Sequence, residues 1–498
     1  MAFAMPSLAN AQAMPPVPAD TAVIVGKLPN GLTYYIRQNN YPKGEADFYI
    51  AQKVGSILEE DNQRGLAHFL EHMCVNGTKN FPGNQVVSWL ESIGVKFGAN
   101  LNAYTGVDQT VYNISHVPTA RESVQDSCLL ILHDWANELL LDPEEIDKER
   151  GVIHQEWRRS NVGQMRILEQ LLPTMYPDSR YGYRLPIGTM EVVDNFPYQA
   201  LRDYYEAWYR PDQQGIVVVG DIDPARIEAK IKEMFSDIEM PAYAPERVYY
   251  PVADNKGTIY AIGNDKEMTQ SIIQIMFKFD SMPDEMKGSM AYLIYDYMTT
   301  LLNDMLNQRF QEMMSKPDTP FAVAQSTVGN YFLAKTKDSF TVLGLAKGND
   351  ILPTAEAIYR EVLRAKRGGF TASEYDRARN EYLSHLEKAY NNRASRETGS
   401  YVQDYINNFV DNEPMPSLEW LYPQMKQFAQ MINVDQINNM LKELVTDDNR
   451  VVLVMMPDSE GYKLPTESEL ASVMKAVDAE DIEVFVDNVK EEPLIPSL

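Results

Sequence analysis

Hydrophobic and polar positions alternate first with a strand period and then with a helix period, so the chain divides early into short strands and amphipathic helices. After the turn dipeptide Asn30-Gly31, Leu32-Thr33-Tyr34-Tyr35-Ile36 reads as a strand, and Asp47-Phe48-Tyr49-Ile50-Ala51 reads as a second. Apolar positions three and four apart predict a helix over 64–75 and another over 84–93, the latter bracketed by Pro82-Gly83 and Gly94. Strands are expected over 100–104 and 110–115, joined through Gly106-Val107-Asp108, and a long helix over 120–140. The next helix has a strong start signal: Asp142 can cap it, Pro143 takes the first helical position and Glu145 the third. It should continue through Glu156. The β-branched run 215–219 ends in Gly220-Asp221, and a helix over 224–235 closes this unit.

Residues 239–256 hold Pro241, Pro245 and Pro251 with little periodicity, and read as an interdomain linker. The pattern then repeats. Lys256-Gly257-Thr258-Ile259-Tyr260 echoes Asn30-Gly31-Leu32-Thr33-Tyr34 at an offset of 226 residues, and RVVLVMM (450–456) echoes the 215–219 run at an offset of 235. Helices are expected near 285–309, 351–366, 372–391 and 435–445. The expected fold class is α+β: two similar domains, 23–238 and 257–498, each an antiparallel-rich sheet backed by helices. Residues 1–22 stand apart as a leader remnant and tail. Ala11-Gln12-Ala13 has the small-x-small form of a signal-peptidase site, without the basic stretch that opens a complete signal. The expectation is export from a bacterial cytoplasm, to the periplasm or beyond.

Composition narrows the function. The 498 residues are too many for one ordinary core, which agrees with two domains. No apolar run reaches the roughly 18 residues of a membrane span. The net charge of -26 repels phosphate backbones and argues against a nucleic-acid partner. It could steer basic peptides to a cleft or simply keep the protein soluble. The two cysteines, Cys74 and Cys128, form no disulfide framework, and Cys74 reads as core.

The sharpest chemical feature is His68-Phe69-Leu70-Glu71-His72. On a helix His68 and His72 lie one turn apart on one face, a spacing at which two imidazoles can hold one Zn²⁺ at about 2.0–2.1 Å. Glu71 faces the same side and can act as a general base without ligating. The arrangement inverts the commoner H-E-x-x-H motif. A third protein ligand is needed, with a fourth position left for water. Glu149 and Glu156, two turns apart on one helical face, both qualify, and spacing does not choose between them. The remaining histidines, at 116, 133, 154 and 385, have no partners at ligand spacing and read as structural or surface residues.

HFLEHMCVNGTKNFPGN (68–84), NAYT (102–105) and ERGVIHQEW (149–157) together resemble the insulinase/pitrilysin family of inverzincin peptidases. GYRLPIGTMEVV (182–193) and YYEAWYRPDQQGIVVVGDID (204–223) extend the likeness, which spans about residues 23–490 and is nearest the large exported bacterial members. The resemblance implies one Zn²⁺ per chain on His68, His72 and Glu156, Glu71 as general base and Glu149 in support of the site. It implies a peptide substrate whose backbone pairs with an edge strand at Asn102, Ala103 and Tyr104. The family often separates motif and ligand glutamate by 76 residues, which from His72 lands on Glu149. The local match assigns Glu156 instead, with a short insertion near 96–100 or 117–127.

The resemblance also implies a partner. Family enzymes close two bowl-shaped halves around the substrate, and the half without zinc supplies an Arg and a Tyr from a segment like R-x-x-x-G-x-Y. The matching stretch here, 314–321, has Met314 and Phe321 at those places. The chain is therefore expected to be the zinc-bearing half of a longer protein, or one subunit of a pair, and to need the other half for full activity. The expected activity is that of a zinc metalloendopeptidase. A non-catalytic assembly subunit of the same family is the alternative, although such relatives usually lose the histidines or the base. A structural zinc module is a further rival, but those sites favour four protein ligands.

Overall fold

A computed structural model describes residues 14–488. The first sheet contains β1 (Val23–Lys27), β2 (Thr33–Gln38), β3 (Glu45–Gln52), β4 (Leu101–Thr105), β5 (Thr110–Pro118) and β6 (Gln214–Gly220), in the order β1-β2-β6-β3-β5-β4. The β2–β6 pair is parallel and the other pairs are antiparallel. Every residue of β6 is buried, which explains its unbroken β-branched run: a strand covered on both faces needs no polar alternation.

The helices of this half are α1 (Leu66–Met73), α2 (Gln85–Ser92), α3 (Glu122–Asn137), α4 (Pro143–Ser160), α5 (Gly163–Met175), α6 (Met190–Asn195), α7 (Tyr198–Trp208) and α8 (Pro224–Phe235). The second half contains β7 (Thr258–Asp265), β8 (Ile272–Phe279), β9 (Phe321–Tyr331), β10 (Ala334–Ala346) and β11 (Arg450–Pro457). Its helices are α9 (Asp284–Lys287), α10 (Met290–Met314), α11 (Leu352–Gly368), α12 (Ala372–Asn391), α13 (Thr398–Asp411), α14 (Leu418–Met431), α15 (Val434–Leu444) and α16 (Glu467–Asp478). The second sheet runs β7-β11-β8-β10-β9, with β7–β11 as its parallel pair. Strand for strand this repeats β2-β6-β3-β5-β4. The fold class is as expected: two α+β sheets of one pattern, backed by helices.

The halves also exchange helices. α13 of the second half covers the open face of the first sheet, where Tyr401, Tyr405, Ile406 and Phe409 bury Tyr35, Val111, Val217 and Val219. α5 of the first half lies on β7 in return. Glycines permit both close approaches. A Cβ on Gly215 would stand 2.8 Å from the Phe409 ring, and one on Gly263 would stand 2.8 Å from Ile167. Neither sheet face could stay dry without the other half's helix.

Several features depart from the sequence expectations. α5, α6 and α7 fill a stretch where no helix was expected, and α5 runs through Pro173. Residues 14–22, grouped above with the leader as a tail, strap across the second half. The Val17 N–H donates to Gly288 O at 2.9 Å, the Met290 N–H to Pro15 O at 3.1 Å and the Asp20 N–H to Met415 O at 3.0 Å. The stretch expected to be a signal-peptide remnant, residues 1–13, lies outside the described residues, as does the terminal stretch from 489. Residues 239–256 hold no strand or helix, yet Arg247 is buried there and donates to Asp108 at 2.9 Å and to Lys53 O at 2.8 Å. Among the described residues no helix is long and apolar enough to cross a membrane.

Candidate metal centre

α1 begins abruptly. Gly65 adopts φ +106°, a conformation that strains other residues, and sits against Gly188 and Ile187. No local side chain caps the helix. Glu59 does so from a distance: its Oε2 accepts the N–H groups of Gly65 at 2.9 Å and Ala67 at 2.8 Å. Complete burial pushes the Glu59 carboxyl up to about 8, against the pull of those two donors. Leu66, Ala67, Phe69, Leu70 and Met73 bury one side of α1, which leaves His68, Glu71 and His72 on its more open side. α4 packs beside α1 and starts as the sequence indicated, with the Asp142 carboxylate accepting the Glu144 N–H and Pro143 in the first turn. Ile146 and Ile153 anchor it, and Glu149 and Glu156 face α1.

The two helices bring His68, His72 and Glu156 together. His68 Nε2 lies 3.5 Å from Glu156 Oε1 and His72 Nε2 lies 3.2 Å from Glu156 Oε2, and all three donor atoms fall within 4.8 Å of one another. Ligands placed tetrahedrally about 2.1 Å from a zinc ion stand about 3.4 Å apart, a value that the two histidine–carboxylate contacts, each to its own oxygen of Glu156, come close to. The surroundings fit as well. His72 Nδ1 is 2.7 Å from Glu149 Oε1, and Asn76 Nδ2 donates to Glu149 Oε2 at 2.8 Å. That contact puts the His72 proton on Nδ1 and leaves the Nε2 lone pair for a metal. His68 Nδ1 is buried without a partner among the described residues.

Electrostatics favour a positive charge within the cluster. Burial disfavours a charged His72, but its hydrogen bonds to the acceptor carboxylates of Glu149 and Glu156 outweigh it and raise His72 to about 9. The same imidazoles, His68 first, hold Glu156 well below the usual carboxylate range. Two carboxylates on one imidazole favour a positive charge there, which a bound divalent ion would supply on displacing the proton.

The other sequence-predicted residues sit nearby in different roles. Glu149 stands behind His72 rather than in the donor set. Glu71 takes a hydrogen bond on Oε2 from the Thr105 hydroxyl. Asn102, Ala103 and Tyr104 lie on β4, the edge strand, and among the described residues pair with β5 alone; Asn102 and Tyr104 are exposed and Ala103 is half-buried. Cys74 is buried, its thiol pushed up by desolvation, as a core residue should be. His116, His133 and His154 pair with Glu45, Asp237 and Asp194, away from the cluster. Sequence reasoning passed over Glu59, Asn76 and Thr105. Thr105 stood next to the edge-strand residues, and Asn76 one turn beyond His72, but nothing in spacing told either from a surface polar residue.

Fold and donor set together define a class: a duplicated α+β protein with the donor set for one divalent metal in its first half and, among the described residues, none in its second. The chain belongs to the insulinase family of peptidases, family M16. The description "Insulinase (Peptidase family M16)" matches residues 35–186 and "Peptidase M16 inactive domain" matches 195–382. The chain is 31% identical over 428 residues to the probable zinc protease PqqL of Escherichia coli K12, covering 86% of this chain and 45% of that protein. It is 28% identical to the zinc protease PQQL-like of Arabidopsis thaliana, covering 87% of this chain and 42% of that one. The chain thus spans about half the length of these relatives. The crystal structure of the first half of the Escherichia coli periplasmic protease PqqL superposes with a TM-score of 0.84 at 28% identity, over 95% of this chain and 100% of that one. The crystal structure of the periplasmic protease PqqL gives 0.85 at 27% identity, over 97% of this chain and 53% of that one.

Proposed function

We propose that this chain is the zinc-bearing half of an exported metalloendopeptidase that hydrolyses peptides or small unfolded proteins. One observation carries the reading: two imidazole nitrogens and the Glu156 carboxylate converge to within 4.8 Å of one another while Glu71 stands free of that set. His68, His72 and Glu156 would hold the ion, one per chain. When bound, zinc supplies Lewis acidity toward a water and a peptide carbonyl. Glu71 takes a proton from the attacking water and returns it to the leaving amine. Glu149 and Asn76 keep the His72 ring in its ligating tautomer. β4 offers an unpaired edge at Asn102–Tyr104 on which an extended peptide can add as a strand, which favours backbone recognition over side-chain selectivity.

The span of the relatives supports a need for a second half, and Met314 and Phe321 leave this chain without the Arg and Tyr expected from it. The periplasmic relative supports export. The test is a pair of measurements on Glu71→Gln, made on the chain together with its complementing half. Zinc content should stay at one per chain, while cleavage of an unstructured peptide should fall by about 10²–10⁴-fold. Cleavage at the wild-type rate by this variant would remove Glu71 as the base. A purified protein that takes up no zinc would instead favour the assembly-subunit alternative.

A further inference from the structure

A glutamate side chain turns about three torsions, so a glutamate acting as base must be held in one orientation by something outside itself. Among the described residues one hydrogen bond reaches the Glu71 side chain, and it comes from the Thr105 hydroxyl to Oε2. Thr105 closes β4, directly after the exposed edge residues Asn102–Tyr104, and pairs with Thr110 across the hairpin.

The hairpin is itself tied to the segment that leads into α1. The Gly106 N–H donates to Gln109 O at 2.7 Å, closing the turn. The Ser56 and Ile57 N–H groups donate to Gly106 O at 3.2 Å and Val107 O at 2.9 Å, and Thr110 Oγ1 donates to Val54 O at 2.8 Å. A Cβ on Gly55 would lie 2.4 Å from Val107 O, so this approach requires a glycine. Backbone contacts thus set the separation between Thr105 and the helix that carries Glu71.

We propose that Thr105 is a positioning residue for Glu71: its hydroxyl holds one carboxylate oxygen and leaves the other directed at the water to be deprotonated. This rests on the reading of Glu71 as the base. The hydroxyl has lone pairs as well as a proton, so the contact survives when Glu71 itself becomes protonated. Because Thr105 continues the edge strand, a peptide docked along Asn102–Tyr104 is placed in fixed register with the base.

The experiment compares Thr105→Val, Thr105→Ser and Glu71→Gln in an assembly in which the wild-type chain cleaves an unstructured peptide. Thr105→Val should lower kcat by about 10- to 100-fold with KM and zinc content unchanged. Thr105→Ser, which keeps the hydroxyl, should recover most of the rate. Crystals of zinc-loaded Thr105→Val should show the Glu71 carboxylate turned or split, with His68, His72 and Glu156 unmoved. Wild-type kcat in Thr105→Val beside an inactive Glu71→Gln overturns the positioning role alone; full activity in Glu71→Gln overturns the underlying reading. A rise in KM at constant kcat, or an unmoved Glu71 in the crystal, also rejects the role.

Discussion

The two halves build the same five-strand order, yet their helix pairs do opposite things with charge. In the first half, α1 and α4 bring two imidazoles and a carboxylate together at 3.2–3.5 Å, with 45% of the Glu156 side chain still exposed and His68 Nδ1 unpartnered. In the second half, α10 and α12 follow their strands in the same order. Their buried charges close on themselves. Arg309, 2% exposed, donates to both oxygens of Glu374 at 2.7 and 3.0 Å, lies 3.4 Å from Glu361 and has the rings of Phe370 and Phe485 against it. The polar residues left over, among them Asp304, Gln308, Glu381 and His385, line a solvent-open cavity of about 610 Å³ and, among the described residues, form no metal-ligand group. One fold thus carries a charge cluster that closes on itself and one whose donor atoms are grouped so that they could hold an ion. Architecture alone does not create the chemistry; the difference lies in a few side chains on two facing helices.

That contrast can be broken most directly by counting metal. One zinc per chain is expected by elemental analysis, falling to none in His72→Ala and staying at one in His385→Ala; two zinc ions per chain would erase the distinction. Next, Arg309→Met leaves Glu374 and Glu361 buried without their cation. It should lower unfolding stability by about 3–5 kcal/mol in a urea titration, with zinc stoichiometry unchanged below the transition. A silent substitution would show that the second cluster is not a structural tie. The smallest effect sharpens the first cluster. Glu149→Ala should weaken zinc binding by about 10- to 100-fold in a chelator competition, because His72 loses the partner that fixes its tautomer. Loss as complete as in His72→Ala would instead place Glu149 among the ligands.

The helix exchange has a related lesson. The first sheet's open face is buried by Phe409 and its neighbours on α13, so the metal-bearing half depends on the other for a dry sheet. Repetition at offsets of 226 and 235 residues was legible because β2, β6, β7 and β11 carry strong strand patterns. The crossing of α5 and α13 was not legible, since an amphipathic helix shows that it has an apolar face but not which sheet that face will meet.

Local order was written along the chain itself. The start of α4 at Asp142-Pro143, the continuous apolar run of β6 and the one-turn spacing of His68 and His72 all arise from neighbours in sequence, so period and capping chemistry sufficed to read them. Whether Glu149 or Glu156 faced the imidazoles was not decidable by spacing, because both lie on one stripe of one helix. Packing of α4 against α1 decided the division: Glu156 meets the Nε2 atoms of both imidazoles, and Glu149 meets only Nδ1 of His72. The same holds for Thr105 on Glu71 and for Glu59 at the head of α1: each contact joins segments brought close by the fold, and the direction of a side chain in space follows from packing rather than from its place in the chain.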